Sequence, residues 1–149
     1  MVKRIQHSRR AKRDSVRRSV FVAMPFKKQF EDVYNEVIRP TLEGMGLSVV
    51  RADEQHGKIV FQDIERGIRK AQLVIADLTG CNSNVLYELG FAHGARKSFV
   101  LITQRKKDIP FDVQHWRLIL YSTSDRGSYK LMDDLESAVL ETTRPPRRF

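Results

Sequence analysis

Three carboxylates, Asp63, Asp77 and Glu88, fall where a chain alternating strands and helices would bring them to one rim. Acids that converge in a crevice raise one another's pKa and divide into acid and nucleophile. Glycosyl transfer uses that division: one carboxylate attacks the anomeric carbon while another group helps the leaving base depart. Glu88 is flanked by Tyr87, Leu89, Gly90 and Ala92, and the small residues imply close packing of its helix on a sheet. A carboxylate there is costly unless it is used or paired. Asp77 reads either as a site acid or as the cap of the turn that follows it. Asp63 reads either as a second site acid or as a solvated helix acid beside Glu65. Asn82, Ser83 and Asn84 bring small polar groups and free N–H groups to a helix start, which suits a phosphate or a sugar hydroxyl. Asn84 also fits an ordinary N-cap.

The elements that must position these groups follow from hydrophobic pattern. Ser19–Met24 is a near-continuous apolar run ending at Pro25, as expected of a strand buried on both faces. Helical spacing links Phe30, Val33, Tyr34, Val37, Ile38, Leu42 and Met45, with Pro40 expected to kink or split that helix. A second strand covers Leu47–Val50 and leads into Arg51-Ala-Asp53. Gly57 precedes a helix with Ile59, Val60, Ile64, Ile68 and Ala71 inward. Further strands are expected at Leu73–Ala76, Ser98–Thr103 and Trp116–Tyr121. Helices are expected at Asn84–Arg96 and Tyr129–Leu140, and Pro145-Pro146 ends the structure. Strict alternation predicts a flavodoxin-like three-layer α/β domain, its parallel sheet in order 2-1-3-4-5. The ligand crevice then lies above strands one and three, where the loops Met24-Pro25-Phe26 and Asp77–Gly80 meet.

At 149 residues and 41% hydrophobic content the chain suits one soluble domain with a real core. No apolar run approaches the ~20 residues of a membrane helix. Charge begins at Lys3 with no apolar leader core, and the one cysteine, Cys81, fits a reducing compartment, so the expected location is cytoplasmic. The net charge of +9 is concentrated at the ends. Residues 1–18 hold Lys3, Arg4, Arg9, Arg10, Lys12, Arg13, Arg17 and Arg18 against Asp14, and the tail 143–149 adds Arg144, Arg147 and Arg148. The domain between, 19–142, is close to neutral. The tails read as electrostatic arms for a polyanion or acidic partner, or as solvated extensions without aromatic residues to stack on bases. His7, His56, His93 and His115 show no metal-ligand spacing, and no phosphate-binding glycine motif is present. Cys81 reads as a loop residue and Trp116 as core; Phe111 and Trp116 are also candidates to line the crevice. No cofactor or metal is called for.

Gln62-Asp63, the strand ending Ala76-Asp77, and Tyr87-Glu-Leu-Gly90 followed by Ala92 resemble the nucleoside 2-deoxyribosyltransferase family and its nucleotide N-glycosidase relatives, over about residues 19–123. The resemblance implies Glu88 as the nucleophile that forms a covalent sugar intermediate. It implies Asp63 as the group assisting the base, and Asn82, Ser83 and Asn84 as the loop holding the sugar or its phosphate. The family's first loop is usually Gly/Ser-rich, whereas this chain has Ala23-Met-Pro-Phe26. That loop, with Asp77-Leu-Thr-Gly80 and Asn84–Gly90, is more similar to the bacterial TIR-like branch of the same architecture. TIR enzymes use a helix Glu to cleave the nicotinamide–ribose bond of NAD.

The expected activity is cleavage or transfer at an N-glycosidic bond of a nucleoside or nucleotide. Glu88 would attack C1′, Asp63 would aid base departure, and Asp77 would orient a sugar hydroxyl or Glu88. Met24, Pro25, Phe26, Asn82, Ser83, Asn84 and Tyr87 would bind the ligand. Two alternatives stand beside it: TIR-like NAD cleavage or cyclisation, and a non-catalytic sensor of a nucleotide-derived signal whose basic tails recruit a partner. A homo-oligomer without membrane contact is expected.

Overall fold

The computed structural model describes residues 18–52 and 61–144. Residues 1–17 and 145–149 of the basic tails, with Pro145-Pro146, and Gly57, Ile59 and Val60 before the helix that holds Ile64 lie outside the described residues. The chain runs β1 (Ser19–Ala23), α1 (Lys28–Val33), a π-helical stretch (Tyr34–Ile38), α2 (Arg39–Gly44), β2 (Ser48–Arg51) and α3 (Phe61–Lys70). It continues through β3 (Leu73–Asp77), α4 (Ser83–Gly94), β4 (Ser98–Thr103), two 3-10 turns (Lys106–Asp108 and Phe111–Val113), β5 (Leu118–Leu120) and α5 (Asp125–Thr143). The sheet has five strands in order β2-β1-β3-β4-β5. Every pairing is parallel. The expected topology is therefore the observed one. No helix among the described residues is long and apolar enough to cross a membrane.

Side chains alternate across the strands and split the core in two. Val20 and Val22 of β1, Leu73 and Ile75 of β3, and Val100 and Ile102 of β4 face α1, α2 and α5. Phe21 and Ala23, Val74 and Ala76, and Leu101 face α3 and α4. β1 and β3 are buried along their whole length, as their unbroken apolar runs require.

Pro40 does not split its helix. It takes an early position in α2, and the turn before it widens into the π stretch, where Arg39 N–H reaches back to Tyr34 O. The proline can donate no hydrogen bond, and its ring would press on the carbonyl four residues earlier; an extra residue in the turn relieves both. One turn on, the Thr41 hydroxyl donates back to the Val37 carbonyl at 2.6 Å.

Both α3 and α4 pack closely on the sheet, α4 through the fully buried Ala92, but Gly90 takes no part in it. Gly90 is exposed, and a Cβ there would meet nothing. A Cβ on Gly67 of α3 would stand 3.1 Å from the Phe21 ring. Gly67→Val should therefore lower unfolding stability by about 1–3 kcal/mol, the usual cost of overpacking. Gly90→Ala should raise it by up to about 1 kcal/mol, the gain from replacing a mid-helix glycine. Urea titration of both variants checks this; equal midpoints would mean that α3 does not rest on β1 at Gly67.

Candidate functional site

The strand ends of β1 and β3 and the start of α4 meet at one rim, and a small hollow of about 160 Å³ opens there. Met24, Phe26, Lys27, Asn82, Asn84, Val85 and Glu88 line it. Two larger hollows flank it. One, of about 760 Å³, runs over Pro25, Thr79, Gly80, Asn82, Gln104 and Arg105. The other, of about 810 Å³, lies between Phe26 and the end of β2. Lys27 borders all three.

Glu88 reaches the hollow because it belongs to the inward stripe of α4, with Val85, Leu89 and Ala92. It is 5% exposed. Burial pushes its carboxyl from an ordinary 4.5 up to about 7, partly offset by the positive charge of Arg51. Near neutral pH it therefore exchanges between acid and carboxylate, the range in which a side chain can serve as nucleophile or as acid–base.

The loop that carries α4 is held from both ends. Asn82, not Asn84, caps the helix: its side-chain oxygen accepts from Asn84 N–H at 3.0 Å and Val85 N–H at 3.2 Å. The cap sits two residues before the expected helix start because Asn82 alone keeps an extended backbone there. Gly80 has a φ of 79° and Cys81 one of 51°. Their strained turn is pinned by Asp108, whose Oδ2 accepts Gly80 N–H at 2.7 Å and whose backbone oxygen accepts from Cys81 Sγ at 3.0 Å. The Gly80 N–H bond, with help from Arg105 at 2.8 Å, holds the Asp108 carboxyl below its usual range.

The three candidate acids do not share one hollow. Asp77 has the strand parity of Leu73 and Ile75, so it faces α5, on the side of the sheet opposite α4. One of its oxygens accepts Thr79 N–H at 2.9 Å and the other the Tyr121 hydroxyl at 2.5 Å. Burial raises the Asp77 carboxyl, against the pull of those bonds. Burial and the Asp77 charge together push the Tyr121 hydroxyl far up. The pair ties β3 to the strand-end segment after β5. Asp63 stands in the first turn of α3 with a side chain 67% exposed, 3.3 Å from Arg66.

Of the expected ligand contacts, Met24, Phe26, Asn82 and Asn84 line the Glu88 hollow, and Pro25 lines its neighbour. Ser83 lines none of the three. Tyr87 turns outward, its ring 5.8 Å edge-on to Phe61 and its hydroxyl 3.5 Å from Glu65. Phe111 is 84% exposed and away from the hollows. Trp116 packs against Phe99 and His93 on the α4 face of the sheet. Lys27 and Arg51 were missed. The signal for Arg51 was present: a charge ending a strand adjacent to β1 must arrive at the same rim. Among the described residues no cluster of His, Cys, Asp and Glu could hold a metal ion.

No protein-family model matches the chain, and no curated protein does. Solved structures do share its fold. The TIR domain of a Toll-related receptor of Hydra magnipapillata is 15% identical, with a TM-score of 0.64, the match covering 84% of this chain and 98% of that one. A 2-deoxyribosyltransferase of Bacillus psychrosaccharolyticus is 16% identical, with a TM-score of 0.59 and coverage of 79% and 90%. A CMP N-glycosidase of Clostridium botulinum is 19% identical, with a TM-score of 0.57 and coverage of 80% and 98%. The chain thus has the α/β architecture common to deoxyribosyltransferases, nucleotide N-glycosidases and TIR domains.

Proposed function

We propose that this protein breaks or transfers the N-glycosidic bond of a nucleoside or nucleotide, with Glu88 as nucleophile. The observation that carries the reading is the placement of Glu88: a buried carboxylate on the wall of a hollow at the switch in strand order. The fold shared with a 2-deoxyribosyltransferase and a CMP N-glycosidase supports it.

In this mechanism the sugar enters the small hollow with C1′ toward Glu88. A Glu88 oxygen bonds to C1′ as the C1′–N bond breaks, its electron pair leaving with the base, which takes up a proton. Water, or the nitrogen of a second base, then attacks C1′ and releases the carboxylate. Asn82 and Asn84 border the hollow where sugar hydroxyls would lie. Asp77 acts at a distance, by fixing the loop between β3 and α4 through Thr79. The bond broken in NAD by TIR enzymes is of the same kind, so NAD belongs among the substrates to be tried.

The test is a panel of nucleosides, nucleotides and NAD, with free base followed by chromatography. Glu88→Gln should reduce base release by orders of magnitude while ligand still binds, since the loss falls on the transition state. Asp63, exposed and outside the hollow, should matter less than a positioned general acid, so Asp63→Asn should cost under the ~10²-fold typical of one. Unchanged turnover in Glu88→Gln would sink the reading. Tight binding of a nucleotide with no base released would replace it with a sensor.

The attacking form is the carboxylate, so kcat/KM should climb with pH through about 7 and then level off, as a profile over pH 5–9 would reveal. Stability should run the other way. Below pH 4.5 Glu88 is protonated in both the folded and unfolded chain. As pH rises to about 7 the unfolded chain loses that proton first, and the fold is progressively penalised. Above pH 7 Glu88→Gln should therefore be more stable than the parent, by up to roughly 3 kcal/mol for a shift of this size. Thermal melts at pH 5 and pH 8 measure it; a variant no more stable at pH 8 would refute the burial cost.

A further inference from the structure

β2 lies beside β1 in parallel register, so its last residue, Arg51, arrives at the rim that holds Glu88. Its side chain is 9% exposed. The guanidinium lies 4.7 Å from the centre of the Phe26 ring and 4.5 Å from that of Tyr34. One terminal nitrogen donates to Glu31 Oε1 at 2.6 Å. The buried Nε has no hydrogen-bond partner among the described residues. A buried, charged donor left unmatched is costly, and the fold spends two aromatic rings holding it in place.

The surroundings add charge of the same sign. The hollow of about 810 Å³ that Arg51 borders is also lined by Lys27, Lys28 and Arg39, and among the described residues Glu31 is its one acid. Arg39 is paired with Glu43, outside that lining. Neither Lys27 nor Lys28 has a carboxylate partner among the described residues. Cations gathered round a concave wall, one of them a planar fork fixed by stacking, suit an oxyanion with several acceptor oxygens. Phe26 and Lys27 border both this hollow and the one at Glu88, so a single ligand can occupy the two.

We propose that the hollow around Arg51 is a phosphate subsite, which takes the phosphate of a nucleotide whose sugar lies at Glu88. The substrate class is then the nucleotide rather than the free nucleoside. The position of the sugar rests on the reading of Glu88 above; the phosphate subsite does not.

The full chain is titrated by calorimetry with inorganic phosphate, the four common ribonucleosides and their 5′-monophosphates. At least one monophosphate should bind about 10–100-fold more tightly than its nucleoside, and inorganic phosphate should compete with it. Lys27→Ala combined with Lys28→Ala, both exposed positions, should remove most of that advantage. Arg51→Lys, which keeps the charge and loses the fork, should reduce it too. If Arg51→Lys fails to fold, the lysine pair still decides. Equal affinity for nucleoside and monophosphate overturns the proposal, as does phosphate binding that the lysine pair leaves unchanged, which would place the anion on the basic tails. A phosphate advantage with no cleavage of any nucleotide would uphold the subsite and sink only the Glu88 chemistry.

Discussion

A parallel sheet covered on both faces leaves polar groups few places to stand. Its strands must be apolar almost throughout, so ionisable side chains gather where strands end and helices begin. Everything of chemical interest here obeys that constraint. Asp77 ends β3, Arg51 ends β2, and Glu88 lies in the second turn of α4. The same constraint makes Glu88 costly: it reaches the rim by occupying an inward position between Val85 and Leu89, and the cover that completes the core also strips water from its carboxyl.

The two faces of the sheet divide labour at that rim. On the α4 face, the Glu88 hollow is narrow and bordered by Met24, Phe26 and Val85 along with polar groups. On the α5 face, Asp77, Tyr121, Gln104 and Thr79 form a closed hydrogen-bond chain: Gln104 donates to the Tyr121 oxygen at 3.1 Å and its backbone N–H to Thr79 Oγ1 at 2.9 Å. One face presents a side chain whose proton is free to exchange, and the other uses its polar groups to hold the loops still. A preorganised site needs both.

Most element limits were legible because buried parallel strands are unbroken apolar runs, and the strand order because right-handed crossovers leave only a few topologies, of which 2-1-3-4-5 is common for five strands. Glu88 was legible from its neighbours, since Leu89 and Ala92 fix which side of the helix turns inward. The face to which Asp77 points was not. Both faces of β3 are equally apolar, so its period-two phase carries no signal until the neighbouring strands are placed. Gly90 misled for a related reason: a small residue marks close approach only when it lies on the inward stripe, and Gly90 sits two positions from Glu88, on the other side. Arg51 was overlooked because a charge at a strand end reads as solvated, and only the rings of Phe26 and Tyr34, distant in sequence, bury it.

The π turn before Pro40 has a bearing on how this chain tolerates changes in length. An α-helix gains phase along its buried stripe, so Leu42 would drift away from the side on which Phe30 packs. The wider turn at Tyr34–Ile38 absorbs a residue and brings the two back into line, and both are buried in the same cluster. The segment between β1 and β2 therefore has a fixed count. Removing one residue from that turn would swing Leu42 out of the core or drag Tyr34 off the guanidinium it supports. Insertions and deletions that a surface loop would absorb are barred here by helical phase.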